Sequence, residues 1–185
     1  MATPPKEGHL LYHMTRLENM PSILEYGLLS RKRVQELKTD FKDIADHEIL
    51  AGRENIQSPR PLSEYVPFHF FVKNPFDGNV CREYSSENMA IIAIYRDLAQ
   101  NLNFPIITAH PLSSSAKWFD SYQEGLSNID WDTLNKRDYR DRDSKLKCMA
   151  ECLAPDSVQP ESFACIFVYD EDAQTKIRGM TYIAA

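Results

Sequence analysis

The sequence predicts a single α+β domain spanning residues 1–185, and three observations carry that prediction. Runs of strand composition and segments of helical periodicity mix along the chain without the regular strand–helix–strand order of a doubly wound sheet. At 185 residues, 43% hydrophobic and 26% charged, the chain supports one ordinary core, and no internal repeat or low-complexity linker divides it. Glycine is scarce: Gly8, Gly27, Gly52, Gly78, Gly125 and Gly179 lie too far apart to build a GxGxxG turn or a Walker loop. Any nucleotide must be held without a glycine-rich phosphate cradle.

Residues 9–13 read as a short strand. Asn19-Met20-Pro21 then marks a helix start, with Asn19 able to cap and Pro21 in the first turn, where its missing N–H costs nothing. Leu17, Met20, Ile23, Leu24 and Leu28 follow at helical spacing, and Gly27 is placed to end the helix. Residues 31–42 have the composition of a surface helix, residues 44–56 continue with weaker periodicity, and Ser58-Pro59-Arg60-Pro61 breaks the chain. Residues 65–72 are aromatic and β-branched, hence a strand, in which Pro67 denies one ladder bond and suggests an edge or a bulge. Asn74-Pro75-Phe76-Asp77-Gly78 predicts a turn. Residues 89–95, 104–108 and 163–169 read as buried strands. Between the last two, a helix is expected over residues 112–122, then a polar loop, then the apolar segment 146–153.

No stretch approaches the roughly 20 apolar residues of a membrane helix, and the N-terminal sequence has the wrong flanks for a secretory signal. A cytoplasmic protein without a membrane partner is expected, its four cysteines free thiols in a reducing compartment. Cys148 and Cys152 form a C-x3-C pair, but Cys81 and Cys165 are isolated and no paired histidines accompany them, so no metal site is expected. The formal charge of −6 is unevenly spread. Residues 136–147 (KRDYRDRDSKLK) hold six basic residues and three Asp, a local charge of about +3. That segment reads either as a solvated face or as a surface lying along phosphates, with Tyr139 interleaved to stack a base.

Four segments in this order resemble the DarT family of NAD-dependent ADP-ribosyltransferases that modify DNA bases. They are Tyr12-His13-Met14-Thr15 with Asn19 and Gly27-Leu28; Ile49-Leu50-Ala51-Gly52-Arg53 leading to Tyr65-Val66-Pro67-Phe68-His69-Phe70; Ile107-Thr108-Ala109-His110 followed by Ile129-Asp130-Trp131; and Cys148-Met149-Ala150-Glu151-Cys152-Leu153. The ordered set covers most of the chain. The resemblance implies an ADP-ribosyltransferase split β-sheet with surrounding helices, binding NAD as co-substrate in a cleft between two sheets. That fold has no glycine-rich phosphate loop, in agreement with the glycine argument.

The resemblance also implies the site. Breaking the nicotinamide glycosidic bond develops positive charge on the ribose, and a carboxylate beneath it is worth more in the transition state than in the ground state. Glu151 matches the family's catalytic glutamate. His13, with Thr15 beside it, is expected at the adenosine-side ribose, and Asn19 either contacts the cofactor or caps the helix. Arg53 has the planar fork suited to the diphosphate, and in relatives the matching arginine also lies near the base being modified. Arg60 offers a competing alignment. His110 matches a position near the acceptor, where it acts as a general acid or base, or else His110-Pro111 is simply a turn. Tyr65, Phe68 and Phe70 read as core aromatics, one of which stacks on nicotinamide; Tyr65 is assigned to the cofactor set. Tyr139, Arg140, Arg142, Lys145 and Lys147 occupy the place of the substrate-recognition loop and are expected on the DNA strand.

A base in a duplex must first be unstacked, so single-stranded DNA is the expected substrate. The chain departs from the family pattern at Asn74-Pro75-Phe76, at Thr108-Ala109 and at Cys152, all on the acceptor side, which leaves thymine and guanine both open. The resemblance further implies a toxin, expected as a monomer, with an antitoxin that hydrolyses its mark. RNA or protein as acceptor, and a non-catalytic nucleic-acid-binding module on the same fold, remain alternatives.

Overall fold

The computed structural model describes residues 3–38, 41–44, 52 and 57–181. Its first half holds β1 (Leu10–Arg16), α1 (Met20–Tyr26), β2 (Leu28–Leu29), α2 (Arg31–Leu37), β3 (Tyr65–His69), α3 (Pro75–Tyr84), β4 (Met89–Tyr95) and α4 (Arg96–Asn101). The second half holds β5 (Ile106–Ile107), β6 (Trp118–Phe119), α5 (Tyr122–Asn128), α6 (Trp131–Lys136), α7 (Arg142–Lys147), β7 (Glu151–Pro155), β8 (Ser157–Val158), β9 (Phe163–Val168) and α8 (Glu171–Thr181). Seven strands form one antiparallel sheet in the order β6-β5-β7-β3-β1-β4-β9, and β2 pairs with β8 apart from it.

Where the sheet is continuous, the register runs the length of the strands: Leu10↔Tyr95 to Arg16↔Met89 between β1 and β4, and Tyr65↔Pro155 to His69↔Glu151 between β3 and β7. Between β1 and β3 it is reduced to Tyr12↔His69. The sheet is therefore two halves joined at one point, which is the expected split. Pro67 explains part of the parting. Opposite Leu153 it turns its carbonyl, and so also its N–H position, toward β1, where a proline has no proton to give a ladder. The edge character read from Pro67 thus belongs to one side of an interior strand.

Alternation along the paired strands sends one set of side chains into a common core. Leu11, Val66, Phe68, Ile92, Ile94 and Cys152 pack with Met20 and Ile23 of α1 and Ile177 of α8. On the opposite face, α3 places Val80 against Met14 and Met89. Arg96 crosses the core edge and donates to the carbonyls of Pro5, Lys6, Leu10 and Phe70 with its guanidinium over the Phe70 and Trp131 rings, which ties the N-terminal segment to the sheet.

Several local expectations are revised. Asn74 to Gly78 opens α3: the Asn74 side chain accepts from the Asp77 N–H at 3.0 Å while Asp77 accepts from the Asn74 N–H. The residue types that favour a turn also build a capping box, and the two part only in whether the chain continues as a helix, as it does here to Tyr84. The helix expected over 112–122 does not form. Ser113 and Ser115 bond each other and the local backbone instead, and Trp118–Phe119 pairs with Ile107 and Ile106 as β6. The surface helix from Arg31 stops at Leu37, where Lys38 turns left-handed, and the strand expected over 104–108 narrows to Ile106–Ile107. Most of the segment 44–56 lies outside the described residues. Among the described residues no helix is long and apolar enough to cross a membrane.

Candidate functional site

The parting of β1 from β3 opens a cleft lined by His13 and Thr15 from β1, Tyr65 and His69 from β3, and Glu151 from β7, with His110 and Met149 from the adjoining loops. Cross-strand partners share a face, so the pairing His69↔Glu151 sets these two side chains together at the end of their strands. Glu151 is buried at 4% exposure, as the first residue of an interior strand rather than at a sheet edge. A strand whose neighbours are Ala150, Cys152 and Leu153 spends its other positions on the core and leaves this one carboxyl to the cleft.

His13 wedges the two halves apart. Its Nδ1–H donates to the Pro67 carbonyl at 2.8 Å, and its ring lies 5.7 Å from that of Phe68. A side chain thus occupies the gap that a backbone ladder would otherwise close. Burial drives the imidazole pKa down to about 4, with the His69 ring pushing the same way and the Pro67 bond and Glu151 opposing. His13 is therefore neutral near pH 7. Because a carbonyl can only accept, the proton sits on Nδ1 and Nε2 is left as an acceptor. His69 donates from Nδ1 to the Ala150 carbonyl at 3.1 Å, holding the residue just before Glu151.

Asn19 does not cap α1. Buried at 3% exposure, its amide donates to Thr15 Oγ1 at 3.1 Å and to the Lys42 carbonyl at 3.0 Å, and its Oδ1 accepts from the Lys42 N–H at 2.8 Å. It fixes the segment 41–44 against the end of β1, and that segment supplies Phe41, Asp43 and Ile44 as a wall of the cleft. Thr15 serves the same junction.

The expectation for Arg53 lies outside the described residues. Its competitor Arg60 is engaged elsewhere, donating to Glu64 at 2.6 Å and Asp156 at 2.7 Å beneath the Tyr65 ring. The cleft has a cation that sequence reasoning missed. Arg31 lines it and forms a fork with the Asp43 carboxylate, one arm at 2.9 Å. Its signal was its place one residue after Ser30, which caps α2 through its hydroxyl and so fixes the first turn. His69 was likewise missed, because a histidine in an aromatic strand reads as core.

His110 lines the cleft and also forms the turn that the alternative reading required. Its N–H donates to the Leu146 carbonyl at 2.8 Å, and its Nδ1 accepts from the Leu112 N–H at 3.2 Å. The neutral ring therefore carries its proton on Nε2. Tyr65 reaches the cleft with its ring edge-on to Trp118 at 5.7 Å, whereas Phe68 and Phe70 are core.

The basic segment lies beside the cleft and lends it no lining residue. Part of its charge is internally compensated: Arg140 bonds Asp138 at 3.0 Å, and Lys147 bonds Asp130 at 3.1 Å and Asp143 at 3.0 Å. Tyr139 donates its hydroxyl to the Lys73 carbonyl at 3.0 Å, and Arg142 and Lys145 project from the short α7. The four cysteines are free. Burial raises the Cys148 thiol to about 11 and raises Cys152 as well, so neither is a nucleophile at neutral pH. Among the described residues no group of three or more His, Cys, Asp or Glu side chains is placed to hold a metal.

Comparison with known proteins gives one consistent result. The family described as DarT, ssDNA thymidine ADP-ribosyltransferase, matches residues 12–182. A DNA ADP-ribosyl transferase–DNA ADP-ribosyl glycohydrolase fusion protein of Thermosipho africanus is 27% identical over 176 residues, 91% of this chain and 44% of the fusion. A DNA ADP-ribosyl transferase of Thermus sp. is 26% identical over 137 residues, 67% of this chain and 63% of that protein. The chain thus spans between about half and two thirds of the length of these curated relatives. Among solved structures, Thermus sp. 2.9 DarT in complex with ADP-ribosylated ssDNA superposes with a TM-score of 0.82 at 21% identity, over 96% of this chain and 90% of that one. Thermosipho africanus DarTG in complex with ADP-ribose gives 0.80 at 24%, over 95% and 48%. At these identities the structural matches establish the shared fold, and the match over residues 12–182 establishes kinship: the chain belongs to the DarT family.

Proposed function

We propose that this chain transfers the ADP-ribosyl group of NAD to a thymine base of single-stranded DNA and releases nicotinamide. The observation that carries the reading is the convergence of Glu151, His13, Tyr65 and His110 on one cleft at the split of the sheet, in a member of a family named for this reaction. The description of the matched family, which names thymidine, supports thymine over guanine.

In this reading the bond from ribose C1′ to the nicotinamide nitrogen breaks, the C1′–N3 bond to thymine forms, and the N3 proton leaves. Glu151 stabilises the positive charge that develops at C1′. Its burial strengthens that effect, because little water competes for the charge. His13, kept neutral with a bare Nε2, accepts a hydrogen bond from a ribose hydroxyl. Arg31 meets the diphosphate, either sharing it with Asp43 or exchanging Asp43 for it, with Arg53 as a second cation. His110 stands on the acceptor side, where with Nδ1 held by the Leu112 N–H its Nε2–H is placed to donate to a thymine carbonyl oxygen while the N3 proton passes to solvent water, and Tyr139, Arg140, Arg142, Lys145 and Lys147 support the strand.

The Thermosipho africanus relative joins a transferase to a glycohydrolase in one chain. By that precedent this chain acts as a toxin opposed by a glycohydrolase antitoxin, as one domain in the cytoplasm where NAD and DNA are both present. The test is to incubate the protein with NAD and single-stranded oligonucleotides of different base content and to read their mass. Thymine-containing strands should gain one ADP-ribose, and Glu151→Gln should lower the rate on the order of 10³-fold while retaining NAD. Transfer to guanine, RNA or protein instead would overturn the acceptor assignment.

A further inference from the structure

We infer that a second groove, beside α3 on the face of the sheet that carries Met14 and Phe167, binds the stretch of single-stranded DNA flanking the modified base. The inference rests on the proposed function and names where the rest of its substrate lies. The groove adjoins the cleft directly: Met14 lines both, and the first turn of α3 forms the ridge between them, with Phe76 on the cleft side and Asp77 on the groove side. It also adjoins the basic segment, whose Tyr139 and Lys145 form part of its wall. A strand leaving the acceptor side of the cleft enters it without crossing open surface.

Its chemistry suits a single strand. Phe167 near the end of β9 and Tyr169 just beyond it are 46% and 67% exposed, an unusual placement for two large rings unless something stacks on them. Tyr12 lies beside Phe167 on the same face, with ring centroids 6.4 Å apart and tilted. Lys73, Arg82 and Lys145 line the same groove, and the one acidic residue among its lining, Asp77, is occupied with the backbone N–H groups of Lys73 and Asn74, while burial raises its pKa. In a chain of net charge −6, a groove with this balance of cations, next to two open aromatic faces, is complementary to a phosphate backbone with unstacked bases.

The test measures strand length. Fluorescein-labelled oligonucleotides of about 4 and about 12 nucleotides, each with one thymine, are titrated into the Glu151→Gln protein and followed by anisotropy. The longer strand should bind at least about tenfold more tightly. Tyr169→Ala and Arg82→Ala should each remove most of that advantage without weakening the short strand, and Tyr169→Phe, which keeps the stacking face, should restore it. Circular dichroism melts confirm folding of these surface variants. Equal affinity for the two lengths, or a Tyr169→Ala and Arg82→Ala pair that still prefers the long strand, overturns the groove assignment. The mass assay on the unsubstituted protein is separate: transfer with no length preference sinks the groove and spares the function, whereas length-dependent binding without transfer does the reverse.

Discussion

Replacing His13 with Asn should flatten the acid end of the stability curve. The imidazole is held at about 4, against 6.5 for the free side chain, chiefly by burial. Between those values the unfolded chain takes up a proton that the folded chain refuses, so stability is complete above about pH 6.5 and is lost as the pH falls toward 4. The gap, at about 1.36 kcal/mol per pH unit, amounts to about 3 kcal/mol. That is a large share of the roughly 5–15 kcal/mol that holds a domain together. Asparagine places an amide N–H where Nδ1–H stands and preserves the bond to Pro67, but it does not titrate. Urea unfolding of both proteins from about pH 7.5 to about pH 4.5 isolates the difference, since carboxylates common to both cancel. Stability curves that stay parallel across that range would refute the account of His13 as a half-buried neutral wedge. The same variant should weaken NAD binding at pH 7, because the Nε2 acceptor is gone.

Other substitutions test the junctions around the cleft. Asn19→Ala removes the side-chain bonds to the Lys42 backbone groups and to Thr15 and should cost about 1–3 kcal/mol in urea unfolding, with a raised KM for NAD as the segment 41–44 loosens. Arg31→Ala should raise the KM for NAD about tenfold or more with little change in stability, the loss expected of one charge-assisted contact; an unchanged KM would remove Arg31 from the diphosphate site. Gly125→Ala should destabilise by about 1–3 kcal/mol, read as a fall in thermal midpoint, because the added Cβ would stand 2.6 Å from Ile106 Cβ on a core strand.

The elements that could be read along the chain are those whose side chains repeat in register with one environment. Met89–Tyr95 is a strand over the expected residues, and Gly27 ends α1 at φ 89°, as a residue without Cβ allows. The failures share a cause: Asn74-Pro75 and residues 112–122 carry residue types that serve turns, caps and helices alike, and the choice among them went with where the following chain packs, Val80 of α3 against Met14 and Met89, and Trp118–Phe119 against β5. The candidate site divides the same way. Glu151, His13, Tyr65 and His110 were recognisable from their order and residue type, but their convergence was not, since they lie on separate strands and a loop.

Sequence by itself determined that a nucleotide would be held without glycine loops and that positive charge would gather in one segment of an acidic chain, and its likeness to a family singled out one carboxyl, Glu151. These are matters of composition and local order, fixed before folding. Only the tertiary structure decided that β1 and β3 touch at one pair and then part around His13, that Asn19 binds a neighbouring segment instead of capping its helix, and that Arg31 faces the cleft. Each of these depends on long-range pairing, in which a polar group's partner is chosen by which strand folds beside it, and that choice is a property of the sheet as a whole.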